Sequence, residues 1–303
     1  MEDILKRLER GDVIVGDGSL GTLLIERGLR HGNAPEEFNL TRPHVLEEIA
    51  SMYLEAGAEI ITTNTFGASP LRLRHYSLQG KMEAINCIAV EAVRKSVGNN
   101  AYVSASVGPT ARMIKPLGDT EPEEISLCFE RQIAVLLAAG ADLICIETMT
   151  DLTETLLAVK AARSLDLKIP VIATMTFGKT PRGYFTIMGT SIENAAVELE
   201  RAGANAVGSN CGAGMETMVE IAAVFRRYAS LPVVIQGNAG LPVETENGVE
   251  YPETPDFFAA KTNELLDLGV QIIGGCCGSG PEHIRAIRKA VDSRPSAVRS
   301  KTR

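Results

Sequence analysis

Apolar and β-branched residues collect along the chain in short runs, each followed by small or polar residues and then by a longer amphipathic stretch. Read as strands, the runs are 13–17 (VIVGD), 59–65 (EIITTNT), 102–107 (YVSASV), 142–147 (DLICIE), 170–176 (PVIATMT), 206–210 (AVGSN), 232–236 (PVVIQ) and 271–275 (QIIGG). The stretches between them carry helical spacing. In 191–202, Ile192, Ala195, Ala196, Leu199 and Ala202 recur at i, i+3, i+4 and i+7, which predicts a helix with that face toward a sheet. Glycine stops precede many of the strands, in EAGAE at 55–59, AAGAD at 138–142, RAGAN at 201–205 and DLGVQ at 267–271. Thr120 with Glu123, Asp151 with Glu154 and Ser279 with Glu282 have capping-box spacing, and Pro255 after Thr254 suits a first helical turn. Eight alternating strands and helices predict an α/β fold of the (β/α)8 type, a TIM barrel with its active site at the C-terminal strand ends. An open doubly wound sheet is the alternative. It is disfavoured because candidate chemistry follows strands from both ends of the chain.

Composition narrows the class without changing the fold. With 303 residues, 45% of them hydrophobic and 22% charged, the chain can bury a large core. We expect one barrel over 1–291 and a polar tail or linker stub over 292–303, whose sequence DSRPSAVRSKTR lacks core residues at helical spacing. A net charge of −8 and no basic stripe interleaved with aromatics argue against a nucleic-acid partner. The N-terminal MEDILKRLERGD has no apolar signal core, and no run approaches the ~20 apolar residues of a membrane span. A cytoplasmic protein without a membrane partner is therefore expected, and in that reducing compartment six cysteines serve as thiols or ligands rather than as a disulfide framework.

Candidate chemistry gathers where the strands end. The rim holds Asp17-Gly18-Ser19, Asn64, Glu147-Thr148, Asn210-Cys211, Asn238 and Cys276-Cys277. Cys211 and the pair Cys276 and Cys277 suit a zinc thiolate site, since Zn²⁺ takes sulfur at ~2.3 Å and three protein ligands leave a fourth position open for exchange. A redox couple or disulfide is the competing reading of adjacent cysteines. Cys87, Cys128 and Cys145 fall inside apolar patterns and read as buried thiols. Asp17 and Glu147 could hold the ammonium of an amino acid, with turn N–H groups near Gly18 and Ser19 receiving its carboxylate. The bland alternatives are that Asp17 caps the first helix and that Glu147 is a stray rim carboxylate. Asn64, Asn210 and Asn238 either orient ligands or form turns. His31, His44, His75 and His283 read as surface residues, and no HExxH, CxxC pair or P-loop occurs.

GDGSLGT at 16–22, TTNTFGA at 62–68, IETMTD at 146–151, GSNCG at 208–212, GNAG at 237–240 and GGCCG at 274–278 closely resemble the zinc-dependent homocysteine S-methyltransferases. The resemblance covers about 10–291 and is strongest to the homocysteine-binding barrel of the cobalamin-dependent methionine synthases. It implies that Cys211, Cys276 and Cys277 bind Zn²⁺ and that the homocysteine thiol takes the open position. Asp17 and Glu147 would then bind the ammonium, backbone at Gly18 and Ser19 the carboxylate, and Asn238 would lie beside the metal. The implied product is methionine, with the methyl group coming from a methylcorrinoid (methylcobalamin) on a separate protein or domain. Two alternatives stand beside this: a standalone enzyme using S-methylmethionine, S-adenosylmethionine or betaine, and a non-catalytic zinc- or thiol-binding subunit that scaffolds a corrinoid protein. With no Trp and 5% aromatics, the chain is poorly supplied for the aromatic cage that a methylated cation favours.

Overall fold

A computed structural model describes residues 1–30, 32–245 and 248–294. His31, and the part of the expected tail at 295–303, lie outside the described residues. The twelve strands among the described residues, in chain order, are β1 (Ile14–Val15), β2 (Ile60–Thr62), β3 (Tyr102–Val107), β4 (Leu143–Met149), β5 (Val171–Met175), β6 (Gly178–Thr180), β7 (Gly183–Phe185), β8 (Ala206–Gly214), β9 (Val233–Asn238), β10 (Val243–Thr245), β11 (Gly248–Glu250) and β12 (Ile272–Gly275).

Eight of these, in the order β1-β12-β9-β8-β5-β4-β3-β2, pair in parallel, and a bridge between Gly16 and Ile60 joins the two edges. The closed (β/α)8 barrel predicted from the sequence is what forms. Each expected strand is present, and the four helix-stop glycines Gly57, Gly140, Gly203 and Gly269 all have positive φ, the left-handed conformation that ends a helix without a Cβ penalty. Two antiparallel hairpins, β6-β7 and β10-β11, were not expected; they are inserted after β5 and β9 on the active-site side.

Helix starts correct two expectations. Asp151 caps Leu152–Leu165 by accepting from the N–H groups of Thr153 and Glu154. Thr120 and Ser279 cap nothing, because Pro122 and Pro281 occupy the first helical turn and move the caps to Glu121 and Gly280. Proline's fixed φ suits that position, so it outweighs capping-box spacing. The last helix runs through Asp292, and Arg294 forms an ion pair with Asp267 at 2.6 Å, so the chain stays on the barrel slightly beyond the expected boundary.

Inward positions follow the period of two along each strand. At the start of the strands they are apolar: Ile14, Ile60, Tyr102, Ile172, Ala206, Val234 and Ile272 pack with Ile4 and Leu8 of the N-terminal helix Ile4–Glu9, which plugs that end. Two or four residues on they turn polar, as Thr62, Ser104, Ser106, Thr174 and Asn210, all buried or half-buried. The larger apolar cluster lies between the barrel and its surrounding helices. No helix of the described residues is long and apolar enough to cross a membrane.

Candidate active site

The polar end of the barrel opens into a cleft of about 430 Å³, lined by residues from both termini of the sequence, among them Asp17, Glu36, Glu147, Cys211, Tyr251, Cys276 and Cys277. Cys211 follows Asn210 at a register break in β8, and it takes φ +59°. Gly212 continues the bend at φ +73°, where a Cβ would also run into Thr176. Cys276 and Cys277 follow β12, and their backbone is fixed to the neighbouring strand end: Cys276 N–H donates to Gly237 O at 2.7 Å, and Ala239 N–H donates to Cys277 O at 2.9 Å.

Parallel pairing of β8, β9 and β12 therefore brings three sulfurs to one point, all within 4.8 Å of one another, with Cys211 and Cys277 at 3.8 Å. A tetrahedral centre with 2.3 Å metal–sulfur bonds has sulfur–sulfur edges of about 3.8 Å. All six cysteines are free thiols. The Cys211 thiol is pulled far below its ordinary range because the Cys276 and Cys277 thiols donate to its sulfur, and the Cys276 thiol is pushed up in return. Asn238 also donates toward Cys211, while its Oδ1 is buried with no hydrogen-bond partner.

Asp17 does not cap the first helix. Ser19 does that, its Oγ accepting from Thr22 N–H at 3.1 Å, while the Asp17 carboxylate turns to β2, where Thr62 N–H donates to Oδ2 at 2.6 Å and Thr62 Oγ1 donates to Oδ1 at 2.9 Å. Ser106 Oγ donates to Glu147 Oε1, and Asn210 Nδ2 donates to Glu147 Oε2 at 3.2 Å. Every one of these donors is neutral. Burial raises both carboxyls to about 7, against which the bonds from Thr62 and Ser106 pull only partly.

The two backbone donors named from sequence differ in availability. Ser19 N–H is already given to Ser279 O at 2.9 Å, so it has no bond left for a substrate. Gly18 lies against Ser279 and Tyr53 so closely that a Cβ would sit 2.7 Å from Ser279 O. Asn64 is a structural turn residue here, its Nδ2 donating to Pro35 O and Asn39 Oδ1. His283 is no surface residue: Nδ1 accepts from Gly280 N–H, Nε2 bonds Glu253 O at 2.9 Å, and the ring packs edge-on against Phe258. His44 and His75 are exposed.

Sequence reasoning missed Glu36, Ser106, Gln236 and Tyr251, which also line the cleft. Ser106 and Gln236 were within reach, since each lies on the inward face of an expected strand. Glu36, a buried carboxylate that accepts from Gly67 N–H at 2.7 Å, and Tyr251 lie in connections with no periodic signal.

Comparison with known proteins gives a consistent picture. The family model described as homocysteine S-methyltransferase matches residues 14–291. The methionine synthase of Mycobacterium leprae is 33% identical over 308 residues, covering 95% of this chain and 25% of that protein. The methionine synthase of Mycobacterium tuberculosis is 35% identical over 298 residues, covering 92% and 24%. The chain thus spans about a quarter of the length of these relatives. In fold it matches the metallated form of the homocysteine methyltransferase MmuM from Escherichia coli, with TM-score 0.78 at 21% identity over 95% of this chain and 99% of that one. A methyltransferase from Methanosarcina mazei matches with TM-score 0.61 at 12% identity, over 96% and 98%.

Proposed function

The chain belongs to the homocysteine S-methyltransferase family, and from that premise we propose that it binds zinc through Cys211, Cys276 and Cys277 and methylates the sulfur of homocysteine to give methionine, with a methylcorrinoid as the donor. The observation that carries this reading is the meeting of three thiols at one end of a cleft whose wall holds two enclosed carboxylates, to which no cationic side chain of the described residues is bonded.

The residues fit the metal. Three soft sulfur donors at tetrahedral spacing suit Zn²⁺, and the unpartnered Asn238 Oδ1 is a fourth donor for the state without substrate. Zinc, when bound, lowers the pKa of a coordinated thiol so that the thiolate, the competent nucleophile, exists near neutral pH. Among the described residues no histidine joins the three sulfurs, so the ligand set is not the histidine-rich one of zinc hydrolases.

The chain's own groups account for the rest. Asp17 and Glu147 receive the ammonium of homocysteine, whose positive charge removes the cost of keeping two carboxylates enclosed. Gly18 N–H receives the carboxylate, and Ser19 contributes to the wall rather than a hydrogen bond. Held at both ends, the substrate presents its sulfur to the methyl group; a carbon–sulfur bond forms as the donor's bond to the methyl carbon breaks.

A methylcorrinoid on another protein or domain is favoured by the relatives, which are methionine synthases roughly four times as long as this chain. Among the described residues two aromatic side chains, Phe66 and Tyr251, line the cleft, too few for a cage around a sulfonium or quaternary ammonium donor. A cytoplasmic location belongs to this reading, with the six cysteines serving as thiols or metal ligands.

The test is zinc content together with a homocysteine methylation assay that offers methylcobalamin, S-methylmethionine, S-adenosylmethionine and betaine in parallel. Expected are about one zinc per chain, methionine from methylcobalamin, and loss of both in Cys276→Ala. Turnover with a sulfonium or betaine donor alone would replace the corrinoid; zinc-loaded protein inactive with every donor would leave the scaffold reading.

A further inference from the structure

Two barrel strands break register at the cleft, β4 between Ile146 and Met149 and β8 between Asn210 and Gly214, and one side chain joins the two breaks. Asn210 is 1% exposed and uses its amide in full. Oδ1 accepts from Thr148 N–H at 2.7 Å and from Thr174 Oγ1 at 2.8 Å, while Nδ2 donates to Thr148 Oγ1 at 2.7 Å and to Glu147 Oε2 at 3.2 Å. An amide of this length alone offers two donors and two lone pairs: aspartate lacks the donors and serine the reach. Thr148, a β-branched residue, stands at φ +57°, and Cys211, which follows Asn210 in the chain, at φ +59°. Residues with a Cβ keep that conformation only where their surroundings hold them in it.

We propose that Asn210 is a positioning residue for substrate recognition: from the residue next to Cys211 it aims the Glu147 carboxylate at the ammonium of homocysteine. This rests on the reading of the cleft given above. The argument is geometric. Glu147 lies inside the β4 bulge, between Ile146 and Met149, and hydrogen bonds to both of its oxygens fix the direction of the carboxylate. Ser106 holds one and Asn210 the other, and as both donors are neutral, neither supplies the positive charge that a bound ammonium would bring. The same amide fixes the backbone at Thr148, directly after the carboxylate.

The experiment is calorimetric binding of homocysteine and of 4-mercaptobutanoate, the same thiol acid without the amino group, to the zinc-loaded chain, with zinc measured on each sample. In Glu147→Gln and in Asn210→Ala the preference for homocysteine over mercaptobutanoate should fall roughly 10- to 100-fold, the size of a lost hydrogen bond to a charged group. Mercaptobutanoate affinity and zinc content should stay within about twofold, which a general loosening of the site would not allow. Thr174→Val, which removes one bond to Asn210 and none to Glu147, should keep the preference. Asn210→Ser, too short to reach Glu147, carries the same test if the alanine variant does not fold. If Glu147→Gln lowers the preference and the Asn210 variants leave it unchanged, or lower both affinities equally, the positioning role is overturned. If Glu147→Gln itself leaves the preference unchanged, the clamp reading falls, and this inference with it.

Discussion

Asp17 and Glu147 share one physical situation: each is enclosed, held by neutral donors, and raised to about 7 by burial. For a carboxyl raised in the fold, the folded state favours the protonated form. Its contribution to stability is complete below the ordinary carboxyl range near 4 and is lost as pH rises through about 7. A bound ammonium reverses this by favouring the charged form, so homocysteine binding should expel protons, and its affinity should drop as pH falls below about 7. Calorimetry near pH 7 in buffers of different ionisation enthalpy should show homocysteine releasing more protons than mercaptobutanoate, because the thiol contributes equally to both. Equal release would mean that the carboxylates do not meet the amine. The cysteines and the two carboxylates could be picked out from sequence because each ends an apolar run, where a charge or thiol is out of keeping with its neighbours. Asn210 could not be assigned that way, since asparagine at a strand end is also a common turn former and only its four bonds show which role it has.

The elements that build the site are the strand ends, and their irregularities carry the chemistry. β4 and β8 both bulge, which re-aims Glu147 and Cys211 into the cleft, whereas β9 and β12 pair regularly, Asn238 ending β9 and Cys276 following β12 with its N–H on Gly237 O. Close backbone packing sets the approach of β8 to β9. At Gly208 a Cβ would overlap Val234 O, a main-chain atom that cannot swing aside. Gly208→Ala should lower stability by about 1–3 kcal/mol or more, read as the shift of the urea unfolding midpoint, and should weaken zinc retention through the displaced Cys211 loop. An unchanged midpoint would show that β8 relaxes freely. Strand existence was legible from β-branched runs; the bulges were not, because an extra residue leaves the local composition unaltered.

At the scale of the whole molecule, the barrel separates stability from function along its axis. The apolar layer and the helix Ile4–Glu9 close one end, and the thiols and carboxylates occupy the other. Leu8→Ala in the plug should therefore cost about 2–5 kcal/mol in chemical denaturation, with zinc content and homocysteine affinity unchanged; a matching loss of affinity would mean that the two ends are coupled. The amino-acid sequence by itself determined the eight strands, the helices between them, the barrel class and the residue types at each strand end, because these follow from local periodicity and from glycine and proline chemistry. Only the tertiary structure decided which of those ends meet. Closing the barrel sets Gly16 beside Ile60 and brings Cys211 to Cys276 and Cys277 across 65 residues of chain, and it spends the Ser19 N–H on Ser279 while leaving Glu147 to Ser106 and Asn210. Those are contacts between residues far apart in sequence, set by strand order and register, and no local pattern encodes them.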